Sequence, residues 1–168
     1  MSAAAVIDSL EFARGEQELR GSLSVASLKR LEDVLFDSQG TLEYTVRGSR
    51  DERNRPLLVL EVTGALNLQC QRCLGRLEHD VRIASTLLLA PRGAPQDESD
   101  DPEGPDAIEA SDGLDVGELV EDEVLLSLPL APRHPEGTCE SRLPREGAHG
   151  EPRNAFAKLA SLKRSNSR

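Results

Sequence analysis

Between Thr41 and Leu89 the chain passes through three stretches rich in Val, Leu and Thr, at 41–47, 57–69 and 77–89, and no other feature limits the fold as strongly. The polar turn Ser49–Pro56 separates the first two. Consecutive strand-like runs joined by short turns pair with their sequence neighbours, so these residues predict an antiparallel meander. Leu19-Arg-Gly-Ser-Leu-Ser-Val25 alternates apolar and polar residues and predicts a strand ahead of it. Leu28, Leu31, Val34 and Leu35 stand at helical spacing and predict a short helix closed near Gly40. Asp115-Val-Gly-Glu118 has the capping-box pattern, which starts a helix at Val116. Val116, Leu119, Val120, Val124 and Leu128 then share one face, and Pro129 cannot continue the ladder. A third apolar stripe, Phe156, Leu159 and Leu162, predicts a short helix over 154–162. The expected fold is α+β: an antiparallel meander packed with two or three helices.

The core of that fold has to be aliphatic. Phe12, Phe36, Tyr44 and Phe156 are the only aromatic residues, and there is no Trp. That supply cannot build the aromatic platform on which single-stranded RNA is commonly stacked. Charge points the same way, because a net charge of −10 excludes a surface that is basic all round. The negative charge is one block: residues 97–123 carry thirteen acidic and no basic side chains, whereas 1–96 carry thirteen and twelve. Pro and Gly are interspersed where the block begins, so 91–107 reads as a long, disordered acidic loop. Such a run either keeps a small domain in solution or meets a basic partner. The domain expectation is therefore one α+β domain over 1–143 with a mobile loop at 91–107, followed by a flexible basic tail over 144–168 with its short helix. No apolar run approaches the roughly 18 residues of a membrane helix, and the N-terminus lacks signal-peptide character. The expected compartment is the cytoplasm, with no membrane partner.

Three cysteines, an odd number, do not form the disulfide framework of a small secreted domain. Cys70-Gln-Arg-Cys73 lies in a tight turn between two strand-like runs, with Gly75 just past it. That is the geometry of a zinc knuckle half-site, and a tetrahedral site needs two further ligands. His134-Pro-Glu-Gly-Thr-Cys139 offers them, so Cys70, Cys73, His134 and Cys139 form a candidate Cys₃His site for one zinc ion. Two other readings fit the same residues: a reduced turn whose thiols pack as small apolar groups, and a dithiol redox pair. The strand-like character of the residues after Cys73 disfavours the redox reading, since a thioredoxin-type pair sits at a helix N-terminus.

The sequence has no phosphate-binding glycine loop, no nucleophile elbow and no H-E-x-x-H. Glu121, Asp122 and Glu123 are consecutive, so on a helix their carboxylates diverge by about 100° per residue rather than converge as a hydrolytic pair. They read as a solvated helix face or as a contact for a partner. The expectation is a protein that is not an enzyme and has no small-molecule substrate.

Three segments together resemble one family. They are Leu68-Gln-Cys70-Gln-Arg-Cys73, the run from Leu119 to His134 followed by Cys139, and Asn154-Ala-Phe-Ala-Lys-Leu-Ala-Ser-Leu-Lys163. In order and spacing they are similar to the YceD-like large ribosomal RNA subunit accumulation proteins. One departure is Ala155, where the family's terminal motif usually reads Asn-Pro-Phe. The resemblance implies a non-enzymatic role in synthesis, processing or accumulation of large-subunit (23S) rRNA, and hence in large-subunit biogenesis. It also implies function for Cys70, Cys73, Glu121, Asp122, Glu123, His134 and Cys139. The implied partners are a large-subunit ribosomal protein, an assembly factor or the rRNA precursor. The acidic block favours a basic protein; Arg47, Arg50, Arg53 and Arg55 around one turn, Arg72 and Arg76 at the knuckle, and the basic tail are the candidate RNA contacts. The alternative is a zinc-binding or dithiol redox module unconnected with rRNA.

Overall fold

A computed structural model of the chain describes residues 5–91, 93 and 104–139. Strand β1 (Val6–Ile7) leads into helix α1 (Ser9–Arg14), and β2 (Glu18–Ser24), β3 (Thr41–Arg50), β4 (Pro56–Gln69) and β5 (Arg76–Ala90) follow. Strand β6 (Asp106–Glu109), strand β7 (Leu114–Asp115) and helix α2 (Val116–Ser127) complete the order. Strands β2 to β5 pair antiparallel in sequence order, as the strand-like runs predict, and β6 joins the edge of β5 in parallel. β1 and β7 form a separate two-stranded ribbon. The architecture is α+β. No helix among the described residues is long and apolar enough to cross a membrane.

Alternation decides which sheet face is covered. Leu42, Tyr44 and Val46 of β3, Leu58, Leu60 and Val62 of β4, and Val81 and Leu87 of β5 are buried with Phe12 and Ala13 of α1 and with Val116, Leu119, Val120 and Val124 of α2. The opposite face presents Arg20, Glu43, Arg47, Glu61 and Arg82 to solvent. Helix α1 lies so close to β3 that a Cβ on Gly48 would meet the Phe12 carbonyl and would stand 2.7 Å from the Ala13 Cα. Helix α2 starts at the predicted residue because the Asp115 carboxylate accepts from the amides of Gly117 (2.7 Å) and Glu118 (3.1 Å).

Three expectations need correction. Of the helix predicted over Leu28–Leu35 there is one 3₁₀ turn, Lys29–Leu31, preceded by another at Val25–Ser27 and followed by irregular chain. A 3₁₀ turn repeats every three residues, so the buried pair Leu28 and Leu31 satisfies it as well as an α-helix. The acidic loop ends earlier than 107: Asp106 and Ala107 belong to β6, whose Ile108 packs against the core. The solvated reading of Glu121 fails, because it is 8% exposed and its Oε1 accepts from the Arg30 amide at 2.7 Å. Most of the predicted loop, the tail over 144–168 and the helix over 154–162 lie outside the described residues.

Candidate metal centre

Six residues, Cys70 to Gly75, join β4 to β5. The Cys70 amide donates to the Gly75 carbonyl (3.0 Å) and the Leu74 amide donates to the Cys70 carbonyl (2.9 Å), which folds the loop back on itself. Closing it puts Leu74 in the left-handed region at φ 56°. Gly75 lies against the ligand, where an added Cβ would stand 3.4 Å from Cys73 Sγ, close to ordinary contact.

The other two candidate ligands arrive on the strap that follows α2. Pro129 prevents the helix from continuing, and the Pro132 carbonyl accepts from the Gln71 amide at 2.8 Å. Arg72 Nη2 donates to the His134 carbonyl at 3.3 Å, while a Pro135–Thr138 turn, closed by the Thr138 amide (3.2 Å) and hydroxyl (2.8 Å), brings Cys139 back towards the knuckle. His134 Nε2 lies 2.9 Å from the Arg76 carbonyl. A carbonyl can only accept, so Nε2 carries the proton and Nδ1 presents its lone pair to the thiols.

All four candidate ligands meet. Nδ1 of His134 is 3.5 Å from Cys73 Sγ and 3.7 Å from Cys139 Sγ, and the sulfurs of Cys70 and Cys139 are 3.9 Å apart. The four donor atoms all lie within 4.8 Å of one another. With Zn–S of about 2.3 Å and Zn–N of about 2.0 Å, a regular tetrahedron has edges of about 3.5–3.8 Å. The donor set therefore has the size and chemistry of a closed Cys₃His zinc site, with the Arg76 carbonyl orienting the imidazole from behind.

The thiols of Cys70 and Cys139 are pushed in opposite directions. Burial opposes charge on Cys70, but the backbone N–H groups of Cys73, His134 and Arg72 and the Cys73 thiol together bring its pKa down to about 5. Burial pushes Cys139 up to about 11, with the Cys73 and Cys70 thiols adding to the rise and Arg72 opposing it. One ligand is thus a thiolate at neutral pH, and a cation would draw the proton from another.

The candidate partner residues separate into two groups. Three carboxylates of helix α2 have partners within the fold: buried Glu121 holds the Arg30 amide, half-exposed Asp122 pairs with the Arg30 guanidinium, and Glu123 accepts from Ser85 Oγ at 2.5 Å. Arg72 and Arg76 are exposed beside the knuckle. Arg76 Nε donates to Asn67 Oδ1 (2.8 Å), and Asn67 Nδ2 donates to Asp37 Oδ1 (2.8 Å). That relay ties the irregular chain after the 3₁₀ turns to the base of the knuckle. The bond from Asn67, then that from the Gln39 amide, holds the Asp37 carboxyl below its ordinary pKa. Asn67 and Asp37 escape a reading of the sequence; the only signal for them is a buried amide in an otherwise apolar stretch of β4.

The chain matches a family model described as large ribosomal RNA subunit accumulation protein YceD over residues 58–163. That span covers the knuckle, α2 and the strap. A protein of the same description from Haemophilus influenzae is 31% identical over 172 aligned positions, which cover 94% of each chain. No solved structure matches significantly.

Proposed function

The chain belongs to the YceD family of large ribosomal RNA subunit accumulation proteins, and on that premise we propose that it is a non-enzymatic factor in synthesis, processing or accumulation of large-subunit (23S) rRNA. It acts in the cytoplasm through contacts with the assembling large subunit. The near full-length match to a relative named for this role carries the reading.

The proposal includes one zinc ion held by Cys70, Cys73, His134 and Cys139. Their mutual distances and the orientation of His134 support it. Bound there, zinc supplies a cross-link between the knuckle and the strap. Four protein ligands leave no position for water or substrate, so such a site is structural rather than catalytic.

The test is the ratio of large- to small-subunit rRNA, with precursor levels, in cells depleted of the protein. Wild type is expected to restore large-subunit rRNA selectively, and Cys70→Ser to restore it less well. An unchanged ratio on depletion would overturn the rRNA role. Zinc content per chain, after purification without chelator, tests the metal separately. A zinc-free wild type whose Cys70 and Cys73 interconvert reversibly between dithiol and disulfide would favour the redox module instead.

A further inference from the structure

Three arginines bracket His134. Arg72 reaches its carbonyl at 3.3 Å, Arg76 receives its Nε2 proton on the backbone at 2.9 Å, and Arg133 precedes it in the chain. All three are exposed, and among the described residues none makes an ion pair, in contrast to Arg20, Arg30, Arg47 and Arg55. Leu74 stands in the same turn and is 59% exposed, far more than its apolar character favours. The exposed carboxylates nearest in sequence are Glu78 and Glu136. Of the four carboxylates on α2, Glu121, Asp122 and Glu123 are engaged by Arg30 and Ser85, and Glu118 is exposed in the first turn of the helix.

We infer that this corner is an RNA-contact surface, with Arg72, Arg76 and Arg133 taking phosphates of a single-stranded segment of large-subunit rRNA and Leu74 lying against a base. The inference rests on the rRNA role proposed above and gives that role its surface. Guanidinium forks match phosphate oxygens, and since none of the three is ion-paired among the described residues, the donors not used by the His134 carbonyl and Asn67 are open to a ligand. Arg72 Nη2 on the His134 carbonyl and Arg76 Nε on Asn67 already hold two of the three guanidiniums in place, so less freedom is lost on binding. Three thiolates around a divalent ion carry one net negative charge, which three guanidiniums outweigh. The corner presents only a few cations around one turn, which suits an unpaired strand; proteins that read duplex RNA span about 16 base pairs. A molecule with a net charge of −10 repels phosphate over most of its surface, which would confine the contact to this corner and orient the encounter.

The experiment measures fluorescence anisotropy of a labelled single-stranded RNA of about 12 nucleotides with the zinc-loaded full chain, between about 50 and 200 mM salt. The double variant Arg72→Gln/Arg133→Gln is expected to bind about 10-fold or more weakly. Its log–log salt slope should be shallower by about 1.4, since each single-strand phosphate contact contributes about 0.7. Arg76→Lys keeps the charge and is expected to retain most of the affinity. Zinc content and Tm of each variant show that the fold is preserved. A wild type that does not bind, or a double variant with unchanged affinity and slope, overturns the inference. Rescue of depleted cells separates it from the function beneath it. If wild type restores 23S rRNA without binding RNA, while charge reversal at Arg72 and Arg133 blocks rescue, the corner meets a protein and the inference fails with the rRNA role intact. If depletion leaves 23S rRNA unchanged, the role itself fails.

Discussion

Leu74 and Asp37 show how single residues set the knuckle. A leucine at φ 56° costs about 1–2 kcal/mol relative to a right-handed conformation, and glycine would not. Part of that saving returns as extra freedom in the unfolded chain, so Leu74→Gly should leave Tm unchanged or slightly raised. A fall of several degrees by calorimetry would mean that Leu74 contributes packing despite its exposure. Asp37 gives a dependence on pH. Its folded pKa lies below the unfolded value because Asn67 and the Gln39 amide donate to the carboxylate. The stability it contributes is therefore present above the unfolded pKa, near 4, and is lost as pH falls through the folded pKa. Wild type should exceed Asp37→Asn in Tm at neutral pH, and the gap should narrow steadily on acidification below about pH 4. A gap that does not depend on pH would show that the charge on Asp37 contributes nothing.

At the scale of elements, the four strands of the meander were legible, and the short strands β1, β6 and β7 and the short helical pieces were not. Runs such as 57–69 and 77–89 name themselves because their side chains alternate against one covered face, and that alternation survives any detail of packing. Helix α1 has only six residues, too few for a periodic stripe, yet its start was written in Asp8-Ser-Leu-Glu11, where the Asp8 side chain accepts from the Glu11 amide at 2.9 Å. Strand β6 was hidden by its charge. Asp106-Ala-Ile-Glu109 continues an acidic run, and its placement depends on pairing in parallel with Leu87–Ala90, a contact that spans the intervening chain. Gly48 carries the testable consequence for α1. A methyl group there would press into the backbone of Phe12 and Ala13, so Gly48→Ala should destabilise the fold by about 1–3 kcal/mol in denaturant melts. A smaller effect would mean that α1 can move away from the sheet without loss.

At the scale of the whole molecule, the four metal-ligand candidates were legible because a zinc site requires a fixed set of donor types, and the chain holds only three cysteines. What the sequence could not supply was the path that brings the second pair to the first. That path depends on Pro132 meeting Gln71 and on His134 meeting Arg76, contacts between segments about sixty residues apart. The strap from Pro129 to Cys139 has no strand or helix of its own. Its hold on the sheet is a few hydrogen bonds at the knuckle together with the proposed ion, whereas β4 and β5 share a continuous antiparallel ladder over thirteen paired positions. Chelating the ion should therefore release the strap without unfolding the sheet. In hydrogen exchange, the Gln71 amide, which donates to Pro132, should lose protection by about tenfold or more, and the Cys70 and Leu74 amides should follow as the knuckle loosens. Amides of the β3–β4 and β4–β5 ladders should exchange as before. Protection lost uniformly would make the metal essential to the whole fold. Protection unchanged at Gln71 would mean that hydrogen bonding alone closes the strap over the knuckle.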